Sequence, residues 1–187
     1  EGIYQILQIR PGDVVLGVMP FFHSFGFTGT LWLPLATGMG AVYHHNPLDA
    51  KAIGELSQRF KTTVLLASPT FLLSYARRVE AGQFASLRFV FAGAERLGES
   101  VAGLFRERFG IEPLEGYGCT ELSPIVAVNI PNVAIGPRRQ LGSRRGTLGL
   151  PLPGVAVKAV DPETRADRGP GEDGLLLVRG GNVMLGY

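Results

Sequence analysis

Seven consecutive residues concentrate the chemistry of this chain: Glu115-Gly116-Tyr117-Gly118-Cys119-Thr120-Glu121. Glycines let a backbone turn sharply and let a ligand come close. An exposed Tyr offers a flat apolar face on which a base can stack. A Thr hydroxyl can bond a phosphate oxygen, and a Glu carboxylate is a hard oxygen ligand suited to Mg²⁺. Adenine, phosphate and magnesium are the parts of bound MgATP, so one short stretch holds a partner for each. The same residues also read as a strand-to-loop corner with Thr120 and Glu121 solvated, and local chemistry leaves both readings open.

Other chemically capable residues are fewer. Pro20-Phe21-Phe22-His23-Ser24-Phe25-Gly26-Phe27 sets one His among aromatic rings, and Ala92-Gly93-Ala94-Glu95 is a loop of small residues ending in a carboxylate. His44-His45 lacks a third ligand, which argues against a metal site. The chain has no Gly-x-Ser-x-Gly elbow, which counts against a serine hydrolase. Cys119 has neither a paired His nor a resolving Cys nearby in sequence and is expected as a buried small residue. Arg138, Arg139, Arg144 and Arg145 form a basic loop, either a solvated surface or a contact for an acidic carrier protein or anionic lipid heads.

The elements that must position these residues follow from periodicity. Val14–Val18, Gly40–Tyr43, Thr63–Ala67, Arg88–Ala92 and Pro113–Glu115 read as strands, the third with no polar alternation and so buried on both faces. Helices are expected over Thr28–Ala36, after Asp49 with Ile53, Leu56 and Phe60 inward, after Ser68-Pro69, and over Glu99–Phe109 with Val101, Leu104, Phe105 and Phe109 inward. Gly110 stops the last of them. Strand and helix alternate about every 25 residues, the βαβ rhythm of a largely parallel sheet with flanking helices, an α/β class. Ligands of such sheets bind beyond the carboxyl ends of strands. Phe21–Gly26, Gly93–Glu95 and Gly116–Gly118 follow the first, fourth and fifth strands, so the chemistry is expected at one rim.

The pattern changes after Pro137. Val155–Val160 alternates with period two, Asp161–Asp173 is polar, and Gly174–Arg179 is another strand. Residues 1–137 are therefore expected to form an α/β unit, and 138–187 the start of a small antiparallel β unit. The length of 187 residues allows one large domain or two small ones and a substantial core. A net charge of +2 gives no case for nucleic acid, and a single cysteine fits a reducing compartment. Glu1-Gly2-Ile3-Tyr4 lacks the features of a signal peptide. The absence of Met there and the end at Gly186-Tyr187 lead to the expectation of a piece of a longer protein. No charge lies between Asp13 and Asp49, and Phe25–Tyr43 is about long enough to span a bilayer. Its glycines and Pro34 favour a buried crossover, with a peripheral membrane contact as the other reading.

Gly116-Tyr117-Gly118-Cys119-Thr120-Glu121 resembles the Gly-Tyr-Gly-x-Thr-Glu signature of the adenylate-forming enzymes, the superfamily of acyl-CoA synthetases, luciferases and peptide-synthetase adenylation domains. The aromatic-His segment resembles that family's acyl-pocket segment, and Ala92–Glu95 its adenine-side loop. Gly149–Val155 and Gly174–Tyr187 resemble two further signatures of turn and strand architecture. Pro20–Gly26, Asn46–Ile53, Ser68–Leu72 and Leu114–Pro124 look most like the acyl-acyl carrier protein synthetase half of bacterial 2-acylglycerophosphoethanolamine acyltransferases.

The resemblance implies ATP and Mg²⁺ as cofactors, a long-chain fatty acid as substrate, and acyl carrier protein or CoA as acceptor. A fatty carboxylate would attack the α-phosphorus of ATP, giving acyl-AMP and pyrophosphate, and a carrier thiol would then take the acyl group. It implies that Tyr117 stacks adenine, with Glu115, Gly116, Gly118 and the Gly93-Ala94-Glu95 loop along its edge. Thr120 would hold the α-phosphate and Glu121 would bind Mg²⁺, the two catalytic positions, while Phe22, His23 and Phe27 would border the acyl chain. The location implied is cytoplasmic, at the inner face of the membrane. A phosphate loop, a ribose-binding Asp and a small C-terminal domain with a Lys have no counterpart in these 187 residues, so adenylation by this stretch alone is not expected. Two other classes stay open: a non-catalytic adenine-nucleotide or lipid-binding module, and an amino-acid adenylation domain. The stretch from His23 to Asp49 lacks the carboxylate that an amine would need.

Overall fold

Short runs of β-branched and apolar residues build one sheet in the computed structural model, which describes residues 9–187. The reading of Glu1-Gly2-Ile3-Tyr4 concerns residues outside the described ones. The strands are β1 (Val14–Gly17), β2 (Gly40–Tyr43), β3 (Val64–Ala67), β4 (Phe89–Ala92), β5 (Leu114–Gly118), β6 (Ile125–Val128) and β9 (Leu150–Pro151). Among the described residues they run in the order β2-β1-β3-β4-β5-β6-β9. β1 to β5 are parallel to one another, β6 adds to β5 antiparallel, and β9 adds to β6 antiparallel. Two hairpins stand apart: β7 (Val133–Ile135) with β8 (Arg138–Gln140), and β10 (Val155–Val160) with β11 (Leu175–Gly180). The expected largely parallel α/β sheet followed by small antiparallel pairs is thus the fold. Residue 137, the expected division, lies in the turn between β7 and β8, and β9 returns to the main sheet beyond it.

Local signals place the helices. The Asp49 carboxylate accepts from the Ala52 N–H at 3.1 Å, starting α1 (Ala50–Phe60). The Ser68 hydroxyl accepts from the Phe71 N–H, and Pro69 opens α2 (Pro69–Arg78). α3 (Glu99–Phe109) ends where Gly110 turns left-handed. The inward face of α1 differs from expectation. Ile53, Gly54 and Ser57 are buried, Leu56 is half-buried and Phe60 is exposed. Small residues win because α1 packs closely: a methyl group at Gly54 would clash with Gln83 and touch Val79.

Strand alternation divides the core between the two faces of the sheet. Leu16, Leu65, Ala67, Val90 and Ala92 face α1, α2 and α3, meeting Ile53, Leu72, Tyr75 and Phe105. Tyr75 is fully buried, and its hydroxyl donates to the Pro47 carbonyl at 2.7 Å. Val15, Val64, Leu66, Phe91 and Val128 face the other way, where Phe25 and Leu33 pack on them. Those two belong to a helical run over residues 24–37, whose middle, Phe27–Trp32, is a π-helix. The uncharged stretch after Asp13 therefore crosses from β1 to β2 with one face on the sheet. No helix among the described residues is long and apolar enough to cross a membrane.

One ion pair ties the start of the sheet together. The Asp13 side chain, 3% exposed, accepts from the Arg88 guanidinium at 2.6 and 2.7 Å, and from the Arg10 N–H at 2.7 Å. Burial pushes its carboxyl up, but the Arg88 hydrogen bond, the Arg10 N–H, Thr63 and the Arg88 charge together bring it below its ordinary value. A lowered carboxylate contributes stability above its unfolded-state pKa and loses it as pH falls through the folded one. Asp13→Asn is expected to cost about 3 kcal/mol at neutral pH, since it leaves Arg88 partly buried against a neutral amide. The deficit should shrink as the pH drops below the ordinary carboxylate range. Urea unfolding at neutral and acid pH checks this; an equal deficit at both would remove the ion pair as the cause.

Candidate functional site

The parallel strands end in short loops, and one cavity of about 320 Å³ opens beside them, on the sheet face under the helical run. Its mouth holds His23, Gly93, Ala94, Gly116, Tyr117, Gly118, Thr120 and Glu121. Its floor holds Phe25, Leu33, Val64, Leu66, Phe91 and Val128. The rim expected from the strand order therefore exists, with loops after β1 and β4 meeting β5.

Gly116-Tyr117-Gly118 is not a turn after the fifth strand but the second half of it. β5 continues through Gly118 because β6 pairs back on it antiparallel, Tyr117 opposite Ala127, with a bulge between Tyr117 and Gly118. The turn comes later. Thr120–Leu122 forms one 3₁₀ turn, and Ser123, at φ 54, reverses the chain into β6. Hydrogen bonding to β6 extends a strand that apolar pattern alone would stop at Glu115, and this sets Tyr117 on a fixed backbone at the cavity mouth.

Each expected site residue now has a place. Gly93 and Ala94 line the cavity, with the Phe25 ring lying against Gly93. Ala94 sits at φ 68, a conformation that costs an L-residue energy and that clusters at functional loops. Glu95 turns away and accepts from the Thr70 hydroxyl at 2.7 Å. Glu115 is buried outside the cavity, its carboxylate accepting from the Leu97 N–H at 3.0 Å. These two carboxylates hold the loop that carries Gly93 and Ala94. Thr120 Oγ1 lies 3.3 Å from Ser24 Oγ, joining the motif to the segment after β1. His23 is exposed at the mouth, and its Nδ1 accepts from the Phe25 N–H at 3.1 Å. Neutral His23 therefore carries its proton on Nε2.

The structure does not bring Phe22 or Phe27 into the cavity. Phe22 is 92% exposed, and Phe27 stacks edge-to-face on Trp32. Phe25, Gly29 and Leu33 line it instead, at i, i+4 and i+8 of one helical face. That spacing was in the sequence; choosing by aromatic type rather than by helical register misses it. Leu66 and Phe91, which also line it, were legible only as buried strand residues, and Thr28 only as the start of a helix.

Electrostatics separates Glu121 from Cys119. The Glu121 carboxyl is held below its ordinary value by its own backbone N–H, then by the Tyr187 hydroxyl and Cys119. Cys119 is exposed and lines the cavity, not buried as expected. Desolvation of its thiol, then the Glu121 carboxylate, push it upward, so it has less thiolate than a free cysteine. It remains in the thiol form at neutral pH, the wrong state for a nucleophile. The basic loop is partly neutralised, with Arg145 bonding Glu112 at 3.0 Å and Glu99 at 3.5 Å. His44 lies 3.6 Å from Asp49, and among the described residues no group of three potential ligands could cage a metal.

The residues at the mouth fit a nucleotide and its cation. A single exposed carboxylate beside a hydroxyl suits Mg²⁺, which keeps waters and is held largely through phosphate oxygens.

Comparison with known proteins shows the family and the fold. The family model described as AMP-binding enzyme matches residues 2–187. The probable 4-coumarate–CoA ligase 1 of Dictyostelium discoideum is 34% identical over 182 residues, covering 95% of this chain and 31% of that protein. The p-hydroxybenzoic acid–AMP ligase FadD22 of Mycobacterium marinum is 32% identical over 182 residues, covering 97% of this chain and 24% of that one. MatB from Rhodopseudomonas palustris superposes in its apo and ATP-bound crystals with TM-scores of 0.85 and 0.83, at 26% identity, over 100% of this chain and 35% of that one. The chain spans about a third or less of the length of these relatives.

Proposed function

Since the chain belongs to the AMP-binding enzyme family, we propose that it supplies the nucleotide and acid sites of an ATP-dependent acid–thiol ligase of its relatives' length. The observation that carries this reading is the cavity itself, with a polar mouth and an uncharged floor. The Tyr117 ring and the Gly93-Ala94 loop offer adenine a face and an edge. The Thr120 hydroxyl, steadied by Ser24, donates to a phosphate oxygen. His23 presents its Nε2–H to the reacting carboxylate or phosphate. Glu121 would hold Mg²⁺, which would offset the charge of the phosphates during transfer.

The acid needs no general base, because a carboxylate is ionised at neutral pH. Its oxygen forms a bond to the α-phosphorus, the bond to pyrophosphate breaks, and acyl-AMP results. A carrier thiol, giving up its proton to solvent, then forms the C–S bond of the thioester while the acyl C–O bond breaks, and AMP leaves with that electron pair. The thiol is proposed to be that of acyl carrier protein or CoA; the coumarate relative's name carries CoA. The likeness of Pro20–Gly26, Asn46–Ile53, Ser68–Leu72 and Leu114–Pro124 to acyl-acyl carrier protein synthetases supports the first.

The acid is proposed to be apolar and elongated, a long-chain fatty acid. Among the lining residues Glu121, at the mouth, is the one carboxylate, so an amino group would find no counter-charge on the floor. Val64 pairs with Phe89, four residues before the Gly93 rim, a depth of about 13 Å at the rise of a strand. A location in the cytoplasm, at the inner face of the membrane that supplies such acids, belongs to the same proposal. So does the division into a nucleotide- and acid-binding unit, residues 1–137, and a β unit, 138–187.

The test is pyrophosphate release by the full-length ligase with acetate, medium and long fatty acids, aryl acids and amino acids. Release driven best by long fatty acids is expected. Preference for amino acids would overturn the substrate, and silence with every acid from a folded protein would leave a binding module.

A further inference from the structure

The last residues of the chain fold back on the motif. β11 ends at Gly180, a turn closes through the Val183 N–H to the Gly180 carbonyl, and the strand-free segment 182–187 then runs along the turn that carries Glu121. Four hydrogen bonds join them. The Asn182 amide donates to the carbonyls of Leu122 at 2.9 Å and Ile125 at 3.1 Å. The Met184 N–H donates to the Glu121 carbonyl at 2.9 Å. The Tyr187 hydroxyl donates to Glu121 Oε1 at 2.9 Å. Gly186, at φ 144, adopts a backbone angle that side chains disfavour, and this swings Tyr187 back onto the carboxylate.

We propose that segment 182–187 is a clasp that aims the Glu121 carboxylate, with Tyr187 as a positioning residue for the metal site. The proposal rests on the reading of Glu121 as the Mg²⁺ ligand. Three of the bonds reach backbone carbonyls and fix the turn. The fourth alone reaches the side chain, and it fixes one carboxylate oxygen and hence the plane of the group. Ligating carboxylates depend on such partners, whose loss typically weakens metal binding or activity by about 10–100-fold. Because Glu121 and Tyr187 are both exposed, the lower end of that range applies. The clasp comes from the β10–β11 hairpin side of the fold, so it couples that hairpin to the nucleotide motif.

The experiment is Mn²⁺ binding to the ATP complex of the full-length ligase, read by electron paramagnetic resonance of the free ion, for wild type, Tyr187→Phe and Glu121→Ala. ATP binding without metal and thermal melting are measured beside it. Tyr187→Phe is expected to raise the Mn²⁺ dissociation constant roughly tenfold, with metal-free ATP binding and melting unchanged. The Mg²⁺ concentration needed for half-maximal pyrophosphate release should rise in parallel. Unchanged Mn²⁺ affinity in Tyr187→Phe, with affinity lost in Glu121→Ala, would overturn the clasp and leave the metal ligand standing. Unchanged affinity in both would overturn the ligand and the clasp together. An equal fall in melting temperature and metal-free ATP binding would make Tyr187 a structural residue and overturn its positioning role.

Discussion

Gly118→Ala is expected to lower the melting temperature by roughly 5–10 °C and to abolish tight ATP binding. A methyl group there would lie 1.8 Å from the Pro124 carbonyl oxygen, 2.7 Å from its carbon and 2.8 Å from Ile125 Cα. All three are backbone atoms, so no side-chain rotation relieves the clash. The only relief is separation of β5 from β6 where the bulge already sits. Overpacking of this kind costs about 3 kcal/mol, and each kcal/mol moves the midpoint of a domain this size by about 2–4 °C. Separation also moves Tyr117 and Thr120, so nucleotide affinity should fall more steeply than stability. Gly103→Ala is the control. It lies within α3 with only the far end of Arg106 near it, and alanine there should stabilise the helix by about 0.5–1 kcal/mol. Melting and ATP titration of both variants decide the matter; a Gly118→Ala protein that melts and binds like wild type would show that the hairpin does not need its close approach.

Glu121→Ala in the full-length ligase is expected to slow pyrophosphate release by about 10²–10³-fold, the loss found when one group aimed at transition-state charge is removed. Its own backbone N–H, Tyr187 and Cys119 keep the carboxyl below its ordinary value, so it is ionised throughout the neutral range. No step in the neutral pH–rate profile should belong to it, and its contribution should vanish only as the pH falls through its lowered pKa. Glu121→Gln keeps the shape and loses the charge, so it should match the alanine variant. If Gln retained most of the rate, a hydrogen bond rather than a metal ligand would be the role of this position. Circular dichroism on both variants separates lost chemistry from lost fold, since Glu121 is exposed and its side chain packs in no core.

Several elements were legible because their signals are local. α3 runs over Glu99–Phe109 and stops at Gly110, as its periodicity and its stop residue require. Ser68-Pro69 starts α2 by a cap that needs no distant partner. β3 lacks polar residues on either face and lies buried on both. The rim followed from strand order, because parallel strands present their carboxyl ends together. Residue type alone showed which side chains of the motif are able to meet a base, a phosphate or a cation, while leaving the solvated strand-to-loop corner open.

What the sequence by itself determined was the α/β alternation, the helix boundaries set by caps, and the rim; it also supplied the residues proposed to meet a nucleotide. Only the tertiary structure decided which of them turn inward. Phe25 and Leu33 rather than Phe22 and Phe27 face the cavity, because the π-helical middle of their run and its contact with Leu66 and Phe91 choose the face. Glu115 and Glu95 hold the loop rather than the cavity, because the Leu97 N–H and the Thr70 hydroxyl, distant in sequence, claim their carboxylates. Gly-Tyr-Gly is a strand because β6 comes back to pair with it. Tyr187 reaches Glu121 across 66 residues of sequence. Local propensity acts over a turn or two of chain, whereas pairing and close packing depend on segments that meet only once the sheet has formed.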